Sequence, residues 1–177
     1  WLEGVLEDGL SRCELPLLVR FQTAWAAQDA EALAQWNDWL HATRETAELS
    51  DEDTRLGAAL VTLLRNLGLL PDASLIPHEA GYITMFAWVA HYRNVPERQT
   101  LLGFAWAWLE NQLAVACKAL PLGHTAAQRV TEHMRPILVT AVEIALQRDD
   151  ENLGPILPGL ALGSALHETQ YSRLFRS

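Results

Sequence analysis

Apolar residues recur along this chain at helical spacing. Leu18, Phe21 and Trp25 stand at i, i+3 and i+7, one face of a 3.6-residue period, and Pro16 ahead of them suits the first turn of a helix. Leu33, Trp36 and Leu40 repeat the spacing. Leu56, Leu60, Leu63 and Leu67 form the cleanest stripe. It predicts a helix whose N-cap and acidic first turn come from Ser50-Asp51-Glu52-Asp53 and which Gly68 stops. The stretch from Leu69 to Ala80 holds Pro71 and Pro77 and reads as a connector. A fourth helix is expected from about Gly81 to Tyr92, carrying Ile83, Phe86 and Ala90. Pro96 starts a fifth, from Glu97 to Ala119. A sixth covers Gly123 to Arg148, with Thr125 and Gln128 as a capping box, so that it begins at Thr125, and with Pro136 as the place for a kink. After Gly154, Pro155, Pro158 and Gly159 comes a small helix near Leu160 to His167. No β alternation, internal repeat or low-complexity tract interrupts this pattern. The predicted class is all-α: a single-domain bundle over residues 1–177, of six to seven helices, with an extended C-terminal tail at 168–177.

The fifth helix is unusual. Leu101 to Leu109 has no polar residue, and Trp106 and Trp108 lie about 200° apart on a helical wheel, so they cannot share a face. A helix apolar on all sides belongs at the centre of a bundle or at a subunit contact. A membrane span is disfavoured, because Glu110, Asn111, Gln112 and Lys118 leave no apolar run near 18 residues.

Length and charge narrow the function. At 177 residues, half of them apolar and a fifth charged, the chain fits one globular domain whose core needs no disulfide or metal staple. A net charge of −9 repels phosphate backbones and argues against a general nucleic-acid or anionic-membrane binder. Two cysteines, Cys13 and Cys117, are too few for a disulfide scaffold and read as reduced, intracellular core residues. The chain opens at Trp1 without a methionine or a targeting signal, which reads as a fragment or a processed chain.

Motifs for chemistry are sparse. Phosphate-binding glycine loops, H-E-x-x-H and C-x-x-C are missing. The histidines His41, His78, His91, His124, His133 and His167 are scattered, and the nine-position offset of His133 from His124 puts them on opposite sides of one helix. Cys117 and His124 are separated by Pro121 and Gly123. His167-Glu168 reads as a solvated helix end more readily than as an acid/base pair, since neighbours on a helix diverge.

Two features stand out. Lys118 is the only lysine beside twelve arginines. It is either a cation placed at a helix C-terminus or a compact ammonium meeting a partner's carboxylate. The stretch from Gly154 to Ser177 has two arginines and one glutamate, a net +1, which leaves −10 on the preceding 153 residues. Tyr171, Arg173, Leu174, Phe175 and Arg176 supply the residue types that anchor interfaces. The alternative is that Leu174 and Phe175 fold back on their own core.

Trp108-Leu109-Glu110-Asn111-Gln112, followed by Lys118-Ala119-Leu120-Pro121-Leu122-Gly123-His124-Thr125-Ala126-Ala127-Gln128-Arg129, resembles the urease accessory protein UreF family. The terminal block from His167 through Glu168, Thr169, Gln170, Tyr171, Ser172, Arg173, Leu174, Phe175 and Arg176 to Ser177 resembles the family's C-terminus. Arg44-Glu45-Thr46-Ala47-Glu48-Leu49 matches a weaker block between two early helices. The likeness covers essentially the whole chain, except that the family's S-x-G-L-E segment is absent before Trp1.

The resemblance implies a cytoplasmic, all-helical, usually dimeric protein that is not an enzyme. Such a protein joins the accessory protein UreD/UreH, docks on apo-urease and recruits the GTPase UreG, as a GTPase activator or a fidelity gate for nickel insertion. It implies no directly bound cofactor, with nickel and GTP carried by the partners. On this basis Lys118, Pro121, Leu122, Gly123, His124, Gln128 and Arg129 are expected to meet the GTPase. Glu168, Thr169, Gln170, Tyr171, Ser172, Arg173, Leu174, Phe175, Arg176 and Ser177 are expected to meet UreD/UreH. No catalytic or metal-ligating residue is assigned. A small-substrate helical enzyme with its site inside the bundle is the alternative.

Overall fold

The computed structural model describes residues 1–120 and 122–171. Among these it contains eight α-helices and no strand: α1 (Leu2–Val5), α2 (Glu14–Ala27), α3 (Ala30–Ala42), α4 (Ala47–Asn66), α5 (Tyr82–Tyr92), α6 (Glu97–Ala119), α7 (His124–Leu146) and α8 (Pro158–Glu168). The all-α expectation holds. The element that the periodicity missed lies at the start, where α1 runs into a π-helical turn, Leu6–Leu10. That turn puts Leu6 and Leu10 into the core, but Glu7, Asp8 and Gly9 between them hide the helical period.

Local chemistry sets the other boundaries. Gln28 adopts a left-handed conformation that ends α2, and the Asp29 carboxylate then accepts the Ala32 amide at 3.0 Å and starts α3. Gly68, at φ +68°, stops α4 as expected. The start of α4 differs from expectation. Thr46 is its N-cap, one turn before Ser50, and the acidic run Asp51-Glu52-Asp53 sits in the second turn. Nor does Thr125 cap α7: that helix begins at His124 after Gly123, with no side chain bonded to its first amides. The connector contains one 3-10 turn, Ala73–Leu75, capped by Asp72, and α7 continues through Pro136.

The centre of the bundle is α2, not α6. Leu15, Leu17, Leu18, Phe21 and Trp25 are buried, and α3, α5, α6 and α7 pack around them. The Trp25 indole N–H donates to the Thr84 carbonyl at 2.9 Å, and its ring lies 5.2 Å from that of Trp88. Helix α6 buries Leu101, Phe104, Leu109 and Leu113 but leaves Gly103, Trp106 and Ala107 in the open. An apolar surface all round therefore does not mean burial all round in this chain.

The leucine stripe of α4 is the largest correction. Leu56, Leu63 and Leu67 are 46%, 52% and 59% exposed, Leu60 is half-buried, and the buried positions are Asp53, Gly57 and Leu64. Backbone contact selects that face. A Cβ on Gly57 would overlap the carbonyl oxygen of Ala80, and one on Gly81 would stand 2.6 Å from Asp53 Oδ2. Only glycine at 57 lets the backbone at the start of α5 rest on α4, with Gly81 set against the side-chain ends of Asp53 and Leu40, and seating it there turns the leucines sideways.

Gly57→Ala should therefore destabilise the fold by at least about 2 kcal/mol in urea denaturation. Gly103→Ala, where an added Cβ meets nothing within 4 Å, should be neutral or stabilising by up to about 1 kcal/mol.

Candidate partner-binding surfaces

The seat of α5 on α4 gathers a buried polar cluster. Asn37 Oδ1 accepts the Gly81 amide at 3.0 Å and the Thr84 hydroxyl at 2.9 Å. Asp53 Oδ1 accepts the Tyr82 amide at 3.3 Å. These two side chains satisfy the first amides of α5, which Gly81 itself cannot cap. Arg44, in the turn between α3 and α4, ties this point to α2: its Nη1 lies 2.7 Å from Glu14 Oε1 and its Nη2 lies 3.9 Å from Asp53 Oδ1. Burial alone would lower the Arg44 pKa, but the Glu14 and Asp53 carboxylates outweigh it and raise it. Burial raises the Asp53 pKa, and Arg44, His41 and the Tyr82 amide only partly counter this. Burial likewise pushes the Cys13 thiol far above its usual range, so Cys13 packs in the core and is no nucleophile.

Glu14 Oε2, Arg44 Nε and Asp53 Oδ2 are buried without a partner among the described residues, each a cost of about 1–3 kcal/mol. Above them lies a cleft of about 520 Å³, walled by Leu49, Leu56, Phe104, Trp108, Leu157 and Leu160, with Glu45, Glu52, Asn111 and Gln112 among its polar lining residues. Two of the three recognisable blocks meet here: Arg44, Glu45 and Leu49 from one, Trp108, Asn111 and Gln112 from the other. Sequence reasoning passed over Glu14 and Asp53. A signal for Asp53 existed, since Asp53, Gly57, Leu60 and Leu64 also follow i, i+4, i+7, i+11, and a carboxylate in register with apolar residues marks a buried charge.

The block expected to meet a GTPase lies elsewhere, at the end of the α6–α7 hairpin. Lys118 is exposed in the last turn of α6, Gly123 precedes α7, His124 opens it, and Gln128 and Arg129 are exposed in its first two turns. Leu122 is half-buried and packs on the core. Pro121 lies outside the described residues. Neither Lys118 nor Arg129 forms an ion pair among the described residues.

Of the C-terminal block, Glu168 ends α8, Thr169 follows as its C-cap, and Gln170 and Tyr171 are exposed. Ser172, Arg173, Leu174, Phe175, Arg176 and Ser177 lie outside the described residues. His167 and Glu168 do not form an acid/base pair, because both are engaged by Glu48. The His167 Nδ1–H donates to Glu48 Oε2 at 2.7 Å, and the Glu48 amide donates to Glu168 Oε1 at 2.9 Å. One turn earlier the hydroxyls of Thr46 and Ser164 are 2.7 Å apart. Among the described residues no group of three or more His, Cys, Asp or Glu could hold a metal ion, and no helix is long and apolar enough to cross a membrane.

Removing Arg44 would leave the half-buried Glu14 and the buried Asp53 carboxylates without their shared cation. Arg44→Ala should cost about 3–5 kcal/mol of folding stability by chemical denaturation. Arg55→Ala, which removes an exposed pair with Asp51, should leave stability nearly unchanged.

Comparison with known proteins now joins the sequence blocks to this geometry. The model of the UreF family matches residues 1–135. The urease accessory protein UreF of Marinobacter nauticus is 78% identical over the whole chain, which spans 77% of that protein. The one from Psychrobacter cryohalolentis is 71% identical with the same coverage. The one from Hahella chejuensis is 45% identical, with 80% of its length covered. The glycine-seated α5, the charged cluster beneath the cleft and the exposed α6–α7 turn are thus features of a chain that belongs to the UreF family of urease accessory proteins.

Proposed function

We propose that this chain is a non-enzymatic docking scaffold in urease maturation. It binds the accessory protein UreD/UreH through its C-terminal block and the GTPase UreG through the α6–α7 turn, and it brings both to apo-urease in the cytoplasm. Nickel and GTP stay on the partners. The observation that carries this reading is the placement of the recognisable residues. Lys118, Gly123, His124, Gln128, Arg129 and Tyr171 stand on open surface, in two separate places, where an enzyme would gather such residues around one enclosed site.

Charge supports the division of labour. An exposed ammonium and guanidinium on a protein of net charge −9 form a local positive spot that draws an acidic partner surface. The open face of α6, with Gly103, Trp106 and Ala107, offers exposed apolar surface for a second copy and so supports a homodimer.

Lys118→Ala should weaken UreG capture in pull-downs and lower urease activation while leaving the UreD/UreH complex intact. Lys118→Arg should restore much of the binding, and added salt should weaken it. Normal capture by the alanine variant would reduce Lys118 to a helix-end cation. Deleting Tyr171 to Ser177 should abolish the UreD/UreH complex with helicity by circular dichroism unchanged, and retained binding would overturn the assignment of the tail.

A further inference from the structure

Helix α8 buries none of its eleven residues, and Leu162 and Leu166 along it are exposed. A helix without a buried face has little apolar contact to hold it in place. Its N-terminal end is tied to the start of the chain: the Gly154 amide donates to Arg12 O at 2.9 Å, the Ile156 amide donates to Asp8 O at 2.8 Å, and Leu157 lies over Gly9. Its C-terminal end meets α4 through Thr46–Ser164, Glu48–His167 and the Glu48 amide on Glu168.

We propose that Thr46 and Glu48 form a clasp that fixes the end of α8 and so sets where Thr169 and Gln170 begin the C-terminal block, making Thr46 and Glu48 positioning residues for capture of that block's partner. This rests on the scaffold reading above.

The chemistry of the clasp is specific. The Glu48 amide belongs to the first turn of α4, where no carbonyl of its own helix can accept it, and Glu168 brings a carboxylate to that positive helix end. Glu48 returns its own carboxylate to His167, in the last turn of α8, where a donor is favoured for the same reason. The two helix ends thus cap each other with opposite polarity. Thr46 serves twice, because its hydroxyl also accepts the Leu49 amide at 3.4 Å. The clasp lies in the block Arg44 to Leu49, which is therefore connected to the C-terminal block by contact although 118 to 120 residues separate the bonded pairs. If α8 is docked only part of the time, the apparent affinity for the tail's partner falls by the docked fraction.

The test measures two things on the intact chain: amide hydrogen exchange, and affinity for UreD/UreH. Glu48→Ala and His167→Ala should each raise exchange in α8 while leaving α2 and α5 protected. Each should weaken partner binding by about tenfold, with the double variant no worse than the stronger single one. Thr46→Cys with Ser164→Cys, placed in the Glu48→Ala chain and oxidised, should restore binding, and a reductant should remove it again. The proposal is overturned if α8 exchange is unchanged in the single variants, if partner affinity stays at the wild-type level while tail deletion abolishes it, or if the oxidised cross-link fails to rescue. Loss of protection throughout α2 and α5 would assign Glu48 to global stability and overturn it as well. Should tail deletion itself leave partner binding intact, the scaffold reading fails at the tail, whereas the exchange measurement still judges the clasp.

Discussion

Gly57 lets the backbone of α4 touch the backbone at the start of α5. With Gly57 under the Ala80 carbonyl and Gly81 against Asp53 and Leu40, α5 starts on the surface of α4 with its first amides directed at Asn37 and Asp53. Placing a carboxylate there demands a cation, and Arg44 supplies it while reaching Glu14 on α2. One close approach thereby fixes three helices and the turn between α3 and α4. It also decides which side of α4 faces outward.

Much of the remaining surface follows from that choice. Leu56, one of the α4 leucines that miss the core, borders with Leu49 a cleft whose opposite walls come from α6 and from the segment leading into α8. Helix α8 then meets α4 at its first turn through polar contacts. Apolar residues left at the surface and helices held by few contacts reduce the stability of an isolated chain. In a protein that assembles with others, these are the regions with freedom to adapt.

The surfaces proposed for partners were legible to different degrees. Lys118 stood out as a single lysine among arginines, and its exposed place at the end of α6 could be anticipated from Pro121 and Gly123 after it. The tail was marked by its charge and its aromatic and arginine content. Glu48 was not singled out in the sequence. An acidic residue near a helix start is common, and nothing local says that its carboxylate meets a histidine more than a hundred residues later.

The sequence by itself determined the helices, because their 3.6-residue spacing, glycine stops and proline starts act within a few residues of each other. It also marked the chain's family through short blocks whose residue order survives without any knowledge of packing. Which face of each helix is buried was decided by tertiary structure. On α4 two stripes share the same spacing, one through Leu56 and one through Asp53, and local propensity does not rank them. The close contact at Gly57 and the pairing of Asp53 with Arg44 do. The same holds for α2 and α6: both are strongly apolar, yet α2 became the centre because four helices pack around it, and that arrangement depends on contacts between residues far apart in the chain.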